Sequence, residues 1–368
     1  MTRLTSALFP SRTITLYLAR LFITRILGVL IMLVLVLQAL DLLSETGAVL
    51  KYPGNGQPQL WTYVTLRTPQ LIARFLPYSV LLATLFTFFP LNQNSEVIAM
   101  RAAGLSAHQI LAPMLLTALV VSGISFVFNE RVVTRATATL KAWQGVEYGP
   151  LHRQTGVRSN VYLADGGNIL YAQTVTGKGG AMRMSEVTWY SRDRQGRILA
   201  RIVSPAAQWV GTGWRLEAPH RFDVQTTATQ PIAPITIAQG LTPSQVELSS
   251  VNADGLDIVE LGRVMATLEA SGRRTSELEG KWWHKLSGPL AALLMPLLGA
   301  VAAFGLARSG QLLIRAVIGM SLGFAYFVVD NAALALSSFG GYPPVFAAWS
   351  PFLLFFLIGE TVLIRTEE

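Results

Sequence analysis

The sequence of 368 residues contains no cysteine. This excludes disulfide bonds, cysteine-ligated zinc or iron–sulfur sites and catalysis by a thiol. Histidine is nearly as scarce, because His108, His152, His220 and His284 are scattered along the chain and form no H-x-x-x-H pair. Paired histidines at helical spacing are a common mark of a metal site, so we expect no bound metal and no other cofactor.

The chain also lacks the G-x-x-x-x-G-K-[ST] motif with which P-loop enzymes bind nucleotide phosphates. We further expect no nucleophile elbow of the G-x-S-x-G type. The sequence therefore predicts a protein that is not an enzyme, has no catalytic residues and cannot hydrolyse ATP by itself.

Charged residues are few, at 14% of the chain, where a soluble domain has about 25%. Hydrophobic residues make up 51%, and the mean hydropathy is +0.44. Six apolar runs are long enough for helices that cross about 30 Å of hydrocarbon. They lie near residues 16–43, 75–91, 110–128, 286–306, 312–336 and 345–364. A short interfacial helix is expected from Leu60, before the second run.

The middle of the chain has no run of membrane length and shows short alternating segments instead. Asp165-Gly166-Gly167-Asn168 and Asp193-Arg194-Gln195-Gly196 fit hairpin turns, since glycine supplies positive φ. Such a pattern is typical of a sandwich or a jelly-roll. Inward-pointing side chains are expected to line either a dry core or a lipid path; they are Val161, Leu163, Ile169, Tyr171, Trp189, Ile202 and Trp209.

The predicted fold class is an α-helical integral membrane protein with six transmembrane helices and an inserted periplasmic β-jelly-roll, α+β overall. Residues 1–130 are expected to form transmembrane helices 1–3, with a cytoplasmic helix near 94–104. Residues 131–280 are expected to form the jelly-roll and a return linker. Residues 281–368 are expected to form transmembrane helices 4–6.

The net charge of +8 indicates either orientation of membrane helices or an anionic partner. Its position beside apolar runs favours orientation, because positive residues concentrate in cytoplasmic loops. Arg12, Arg101, Arg308 and Arg365 fall on one side if the spans alternate. We therefore expect cytoplasmic termini, a β domain in the periplasm of a Gram-negative cell, and no nucleic acid partner.

The loop "LNQNSEVIAMRAAGLSAHQIL" predicts a short cytoplasmic helix. Asn94 or Ser95 is expected to cap it, and Glu96 suits its positive end. Gly104 is expected to end it in a left-handed conformation. The helix either lies at the lipid headgroups or docks a partner through residues such as Ile98. The missing ATPase motif favours docking, since an active exporter needs a source of energy.

Five stretches together resemble the YjgP/YjgQ-type permeases of lipopolysaccharide export. They are "NSEVIAMRAAGLS", "NVYLADGGNILYAQTV", "WWHKLSGPLAALLMPLL", "GMSLGFAYFVVDN" and "GYPPVFAAWSPFLLF". Each is loose alone, but their order and spacing extend over essentially the whole chain. "FVVDN" followed by "GYPP" favours the G-type half of the permease pair over the F-type half.

The resemblance implies a non-catalytic subunit of an ATP-driven exporter in the bacterial inner membrane. Its implied partners are an F-type second permease, two LptB-like ATPase subunits that use ATP and magnesium, an LptC-like single-span jelly-roll protein, and lipopolysaccharide. Lipopolysaccharide would leave the outer leaflet laterally and pass to a periplasmic jelly-roll bridge. By the same resemblance, Glu96, Arg101 and the surrounding helix would seat in a groove of the ATPase.

The chemistry of lipid A predicts which residues contact it. Its phosphates need Lys or Arg near the outer interface, and its acyl chains need an apolar wall. The candidate cations are Arg67, Arg74, Arg131, Arg135 and Lys141, each of which has interfacial anchoring as the alternative role. By resemblance, Phe324 and Phe327 contact acyl chains, with helix packing as the alternative. Some relatives carry lysines where this chain has Asp41 and Glu45, which weakens a phosphate site on the first span.

Two other functions remain open at the level of sequence. A secondary transporter would use Asp41 or Asp330 for proton coupling, although no acidic residue lies in the middle of a span. A membrane enzyme acting on lipid-linked sugars would need clustered carboxylates or histidines, and the sequence shows none.

Overall fold

The computed structural model describes residues 11–150, 158–177, 179–193, 195–224, 226–243, 245–246, 253–270, 275–304 and 312–365. Described residues up to Leu140 and from Ala253 onward form a helical unit. Those from Lys141 to Val246 form a second unit, built on an antiparallel sheet and here called the β unit. The predicted fold class, membrane helices with an inserted antiparallel β domain, is confirmed.

The first half of the helical unit contains α1, α2, α3 and α4, which span Arg12–Lys51, Gln57–Gln93, Glu96–Ala102 and Ala107–Phe128. A π-helical turn, Asn129–Val133, joins α4 to α5, Thr134–Gly145. A 3₁₀ turn, Ala253–Gly255, opens the second half. It is followed by α6, α7, α8 and α9, which span Ile258–Ala270, Ser276–Ala303, Leu312–Ser338 and Pro344–Arg365.

Five helices in the described part of the chain are long and apolar enough to cross a membrane. They are Arg12–Lys51, Gln57–Gln93, Ala107–Gly145, Val317–Ser338 and Pro344–Arg365. The fourth predicted run falls on α7 and continues past residue 304, outside the described residues. The expected interfacial helix from Leu60 was wrong, because α2 continues from Gln57 to Gln93 without a break through Pro69, Pro77 and Pro90.

Helix α7 lies at the centre of the helical unit and packs against α2, α4, α6, α8 and α9. Small residues permit this close approach. A Cβ atom added to Gly299 would lie 2.6 Å from Cγ2 of Thr84, and one added to Gly359 would lie 2.6 Å from Cγ of Leu297. Gly323 of α8 approaches Leu81 of α2 in the same way. These contacts fix the helices around one buried apolar cluster.

The β unit contains strands that span Arg158–Asp165 (β1), Asn168–Thr176 (β2), Arg183–Arg192 (β3), Ile198–Trp209 (β4), Trp214–Glu217 (β5), His220–Asp223 (β6), Thr229–Pro231 (β7) and Thr236–Ile237 (β8). A 3₁₀ turn, Gly179–Ala181, precedes β3. All strand pairs are antiparallel, in the order β1-β2-β3-β4-β5-β8, with β6 pairing β4 and β7. Because one edge of β4 pairs first with β6 and then with β5, the sheet curls.

Both predicted hairpin turns are present. Asp165 pairs with Asn168 across Gly166-Gly167, and Gly166 has φ of 59°. In the second turn the backbone N–H of Gly196 donates to the carbonyl of Asp193, at 3.0 Å. The pKa of the Asp193 carboxyl lies below its ordinary value, chiefly because the backbone N–H of Arg197 donates to it, as does that residue's side chain.

The apolar face of the sheet differs from the prediction in strand β2. Val161 and Leu163 of β1 are buried as expected, but on β2 the buried residues are Leu170, Ala172 and Val175, whereas Ile169 and Tyr171 are only partly buried. The register explains this, because Leu163 pairs with Leu170 and paired residues point to the same face. Trp189 and Ile202 are buried, and Trp209 packs against the same cluster from its rim.

Candidate functional site

The short helix α3 follows α2 with little intervening chain. Ser95 takes the N-cap position, but its backbone is left-handed, with φ of 57°, and its hydroxyl makes no capping hydrogen bond. The expected cap was therefore wrong, because a capping side chain needs an extended backbone at that position. Asn94 is the C-cap residue of α2.

Helix α3 ends at Ala102, and Gly104, the residue after its C-cap, has a left-handed backbone with φ of 89° as predicted. The N–H of Gly104 donates to the carbonyl of Arg101 at 2.9 Å, and the N–H of Leu105 donates to that of Met100 at 3.2 Å. These two bonds form a Schellman motif, which satisfies the last carbonyls of the helix. The helix therefore has a sharply defined end, seven residues after it begins.

The two faces of α3 differ in burial. Val97 is buried, and Met100 packs against the core of the helical unit. On the outer face Ile98, Ala99, Arg101 and Ala102 are exposed, with Ile98 at 49%. Glu96 is half-buried and accepts a 3.3 Å hydrogen bond from the hydroxyl of Tyr17 on α1. The exposed face of α3 thus consists of small or apolar side chains and one arginine.

Arg67, the first candidate cation, is engaged within the chain. Its Nε and Nη2 donate to the two carboxylate oxygens of Asp41, at 3.0 and 2.9 Å, and its Nη1 donates to Gln70 at 2.8 Å. The hydroxyl of Tyr63 donates to the same carboxylate at 2.6 Å. This bidentate pair ties α1 to α2. Asp41 therefore holds the guanidinium that was predicted to meet a phosphate.

The other candidate cations are placed differently. Arg74, Arg131 and Arg135 have exposed side chains. Arg131 lies in the π turn, which packs against α2, and Arg135 follows in α5. Lys141 is also exposed, but it belongs to the β unit. The structure thus places Arg131 close to the helix that carries Arg67 and Arg74.

The two aromatic residues that were predicted to contact acyl chains differ in their exposure. Phe324 is 62% exposed on α8. Phe327 is partly buried and stacks on Tyr78 of α2, with ring centroids 3.9 Å apart. Phe324 therefore faces outward, as a lipid contact requires, whereas Phe327 packs against another helix of the same unit.

The sequence reasoning missed several pairs between acidic and basic side chains, and two of these pairs involve a nearly buried carboxylate. Glu130 of the π turn and Lys285 of α7 lie 2.8 Å apart and are only 12% and 11% exposed. Asp330 of α8, whose side chain is 8% exposed, lies 3.8 Å from Nε2 of His284. Glu130 follows the third apolar run and Lys285 precedes the fourth. Both residues are therefore expected at a similar depth in the membrane, and from this their pairing could have been predicted.

The letters G-x-S-x-G do occur, as Gly319 to Gly323, contrary to the expectation from the sequence. They lie inside the continuous helix α8. A nucleophile elbow requires a sharp turn between a strand and a helix, so this pentapeptide carries no nucleophile. Within the described residues, no group of three His, Asp or Glu side chains is placed to hold a metal ion.

The two predicted surfaces lie toward opposite ends of α2. Arg67 stands near its start and α3 follows its end, so that roughly 40 Å of helix separates them at about 1.5 Å per residue. The arrangement places the exposed face of α3 at one end of the long helix α2 and the cationic side chain of Arg67 toward the other.

Comparison with known proteins covers both units. The family described as "Lipopolysaccharide export system permease LptF/LptG" matches residues 16–365. The protein named lipopolysaccharide export system permease protein LptG from Escherichia coli is 26% identical over 359 residues, which is 95% of this chain and 97% of that protein. The protein of the same name from Haemophilus influenzae is 24% identical over 353 residues, 93% and 97% of the two chains.

Proposed function

The chain belongs to the LptF/LptG family of lipopolysaccharide export system permeases, and we propose that it is the G-type subunit of such an exporter. The observation that carries the proposal is the match over residues 16–365, which takes in the helical unit and the inserted β unit together. The relatives that support the G-type assignment are named LptG.

In this proposal the chain sits in the inner membrane with cytoplasmic termini, and the β unit lies in the periplasm. It pairs with an F-type permease, and the two extract lipopolysaccharide from the outer leaflet. The lipid then passes to a periplasmic bridge that includes an LptC-like protein. Two LptB-like ATPase subunits supply the energy, so this chain itself binds no cofactor.

The outer face of α3 is the proposed docking surface for the ATPase. Its exposed residues are small or apolar apart from Arg101, which suits insertion into a groove. Val97 and Met100 attach the helix to the buried core. A push from the ATPase on α3 is therefore delivered to packed helices rather than to a loose loop.

The proposed lipid contacts follow the exposure of the candidates. Arg131, Arg135 and Arg74 are open to a phosphate, whereas Arg67 must first leave Asp41. Phe324 offers its ring outward to acyl chains. We place Phe327 and Lys141 second, because Phe327 is stacked on Tyr78 and Lys141 lies outside the helical unit.

The docking proposal is tested by co-purification of the ATPase with variants of α3. Glu96→Lys and Ile98→Asp are expected to reduce ATPase recovery at least about tenfold, because the first reverses the charge at the start of α3 and the second puts a charge on its apolar outer face. Tyr17→Phe is the matched control, since it removes the hydrogen bond to Glu96 and leaves the carboxylate. If Glu96→Lys recovers the ATPase like wild type, α3 is not the docking surface.

The transport function is tested with the purified complex in lipid vesicles. ATP is expected to release lipopolysaccharide to a periplasmic acceptor, and omission of the ATPase subunit is expected to abolish release. Release that persists without the ATPase and collapses with an ionophore would instead identify a secondary transporter.

A further inference from the structure

The chain leaves the helical unit once and returns to it once, and both segments contact α7. The departing segment is the π turn followed by α5, and the returning segment is the 3₁₀ turn Ala253–Gly255 followed by α6. In the helical unit, the start of α7 contacts the returning segment. The polar contacts between these three pieces are concentrated in a few residues.

Glu130 connects all three pieces with one carboxylate. Its Oε1 accepts a 2.8 Å bond from Nζ of Lys285 on α7. Its Oε2 accepts a 2.6 Å bond from the backbone N–H of Ile258, the first residue of α6. The side chain thus also caps α6, where a negative charge is favourable. Both oxygens are used, and the pair is almost fully buried.

Helix α7 holds the returning segment at two further points. The indole Nε1 of Trp282 donates to the carbonyl of Ile258 at 3.0 Å. Nζ of Lys281 lies 3.7 Å from the carboxylate of Asp254. One turn of α7, which carries Lys281, Trp282 and Lys285, therefore faces the returning segment.

The departing and returning segments also touch each other directly. A Cβ atom added to Gly255 would lie 3.1 Å from Cβ of Ala138 and 3.2 Å from its Cα. This spacing is tighter than an ordinary Cβ contact, so a larger residue at position 255 requires a shift of a few tenths of an ångström. This backbone contact is independent of the ion pair and points to the same junction.

We propose that Glu130, Ala138, Gly255, Ile258 and Lys285 form a clasp that makes the two segments move as one body with α7 during transport. A buried ion pair adds little net stability compared with an apolar pair of similar size, and its best-attested use is to fix one arrangement. The π turn at Glu130 fits this role, since π turns inside helices often mark functional sites. Glu130 is then a positioning residue, and its role in transport rests on the proposed function.

The absence of native cysteine makes the clasp directly testable in the full complex. Ala138→Cys with Gly255→Cys introduces the only two thiols in this chain, within reach of a disulfide after a small adjustment. Oxidation is expected to lower maleimide–polyethylene glycol labelling at least about fivefold, because the thiols pair. Glu130→Ala in the same chain is expected to restore most of the labelling.

Transport gives the second readout. Glu130→Ala is expected to lower ATP-driven lipid release about tenfold while ATP hydrolysis stays within about twofold, because motion is no longer transmitted. Because the thiols stay largely unpaired in the Glu130→Ala chain, oxidation is expected to leave its low release rate unchanged, whereas the disulfide in the chain that keeps Glu130 is expected not to stop release. Glu130→Gln keeps an acceptor for the Ile258 N–H and is expected to give an intermediate rate. Glu260→Ala, an exposed carboxylate on α6, is the control.

Two results would overturn the proposal. One is a disulfide that stops lipid release in the otherwise unaltered complex, since the segments would then have to separate. The other is a Glu130→Ala variant that matches Glu260→Ala in both readouts. If labelling responds as expected but the unaltered complex releases no lipid with ATP, the clasp stands and the proposed transport function fails.

Discussion

At the scale of single residues, the charges of the helical unit fall into two groups, those paired within the chain and those exposed. Asp41 holds Arg67 in a bidentate pair, and Glu130 holds Lys285. An arginine whose N–H groups already donate to a carboxylate of the same chain can bind a phosphate only if the phosphate displaces that carboxylate. Arg74, Arg131 and Arg135 are exposed and form no ion pair among the residues that the structure describes, which is why they lead the proposed lipid site.

The first prediction concerns those exposed arginines. Arg131→Gln with Arg135→Gln is expected to weaken lipid A binding by the purified complex about tenfold or more and to flatten its salt dependence, because two charge-assisted contacts are lost. Arg20→Gln, an exposed arginine toward the other end of a membrane helix, is the control. Binding can be measured by displacement of a fluorescent lipid A analogue. Equal affinities for the two variants would contradict the assignment.

The second prediction concerns the pair between Asp41 and Arg67. Asp41→Asn is expected to lower the free energy of unfolding by about 1–3 kcal/mol, as loss of a charge-assisted hydrogen bond does. A double-mutant cycle with Arg67→Met measures the coupling by thermal unfolding in detergent. Additive effects would show that the two side chains do not interact. Asp41→Asn is also expected to strengthen lipid A binding, since Arg67 is released.

At the scale of elements, the sequence predicts the long apolar helices, the two hairpin turns and the end of α3 before Gly104 well. Periodicity, run length and glycine all act locally, so these signals are present in short windows. The phase of β2 was mistaken although the two-residue turn determines it, because Leu163 and Leu170 must share a face. The left-handed backbone of Ser95 could not be predicted, because it depends on the position and direction in which α2 ends before α3 begins.

The third prediction concerns the close packing of α7. Gly299→Ala is expected to destabilise the helical unit by about 1–3 kcal/mol, because the new methyl group overlaps Thr84. Gly123→Ala is the matched control, since nothing lies within 4 Å of its added Cβ and alanine favours a helix by about 1 kcal/mol. Thermal unfolding in detergent distinguishes them. Equal shifts would show that α7 and α2 do not approach as described.

At the scale of the whole molecule, the sequence indicates an inserted β domain between membrane helices. It does not indicate which polar side chains pair with each other within the helical unit. Glu130 and Lys285 are far apart in the chain, and no local pattern relates them. The same holds for Asp41 with Arg67 and for Asp330 with His284. Long-range polar pairs depend on which helices become neighbours, and apolar periodicity does not specify that.

The fourth prediction concerns the independence of the β unit. Trp214 is fully buried in a core of its own and donates from Nε1 to the carbonyl of Leu241 at 2.7 Å. The segment 141–252, produced alone, is expected to fold with a cooperative urea transition. Trp214→Ala is expected to cost about 3–5 kcal/mol in that segment, whereas Tyr162→Ala, at a side chain 66% exposed, is expected to cost much less. A non-cooperative transition would contradict independence.

The length of α2 has a mechanical consequence. Its 37 residues make a lever of about 55 Å at the usual rise per residue. A tilt of about 5° around its midpoint moves each end by about 2 Å, in opposite directions. Force applied beside α3 would thus reach the Arg67 end as a displacement of opposite sign. An inward movement of the α3 end would thus accompany an outward movement of the Arg67 end, without any helix having to unfold.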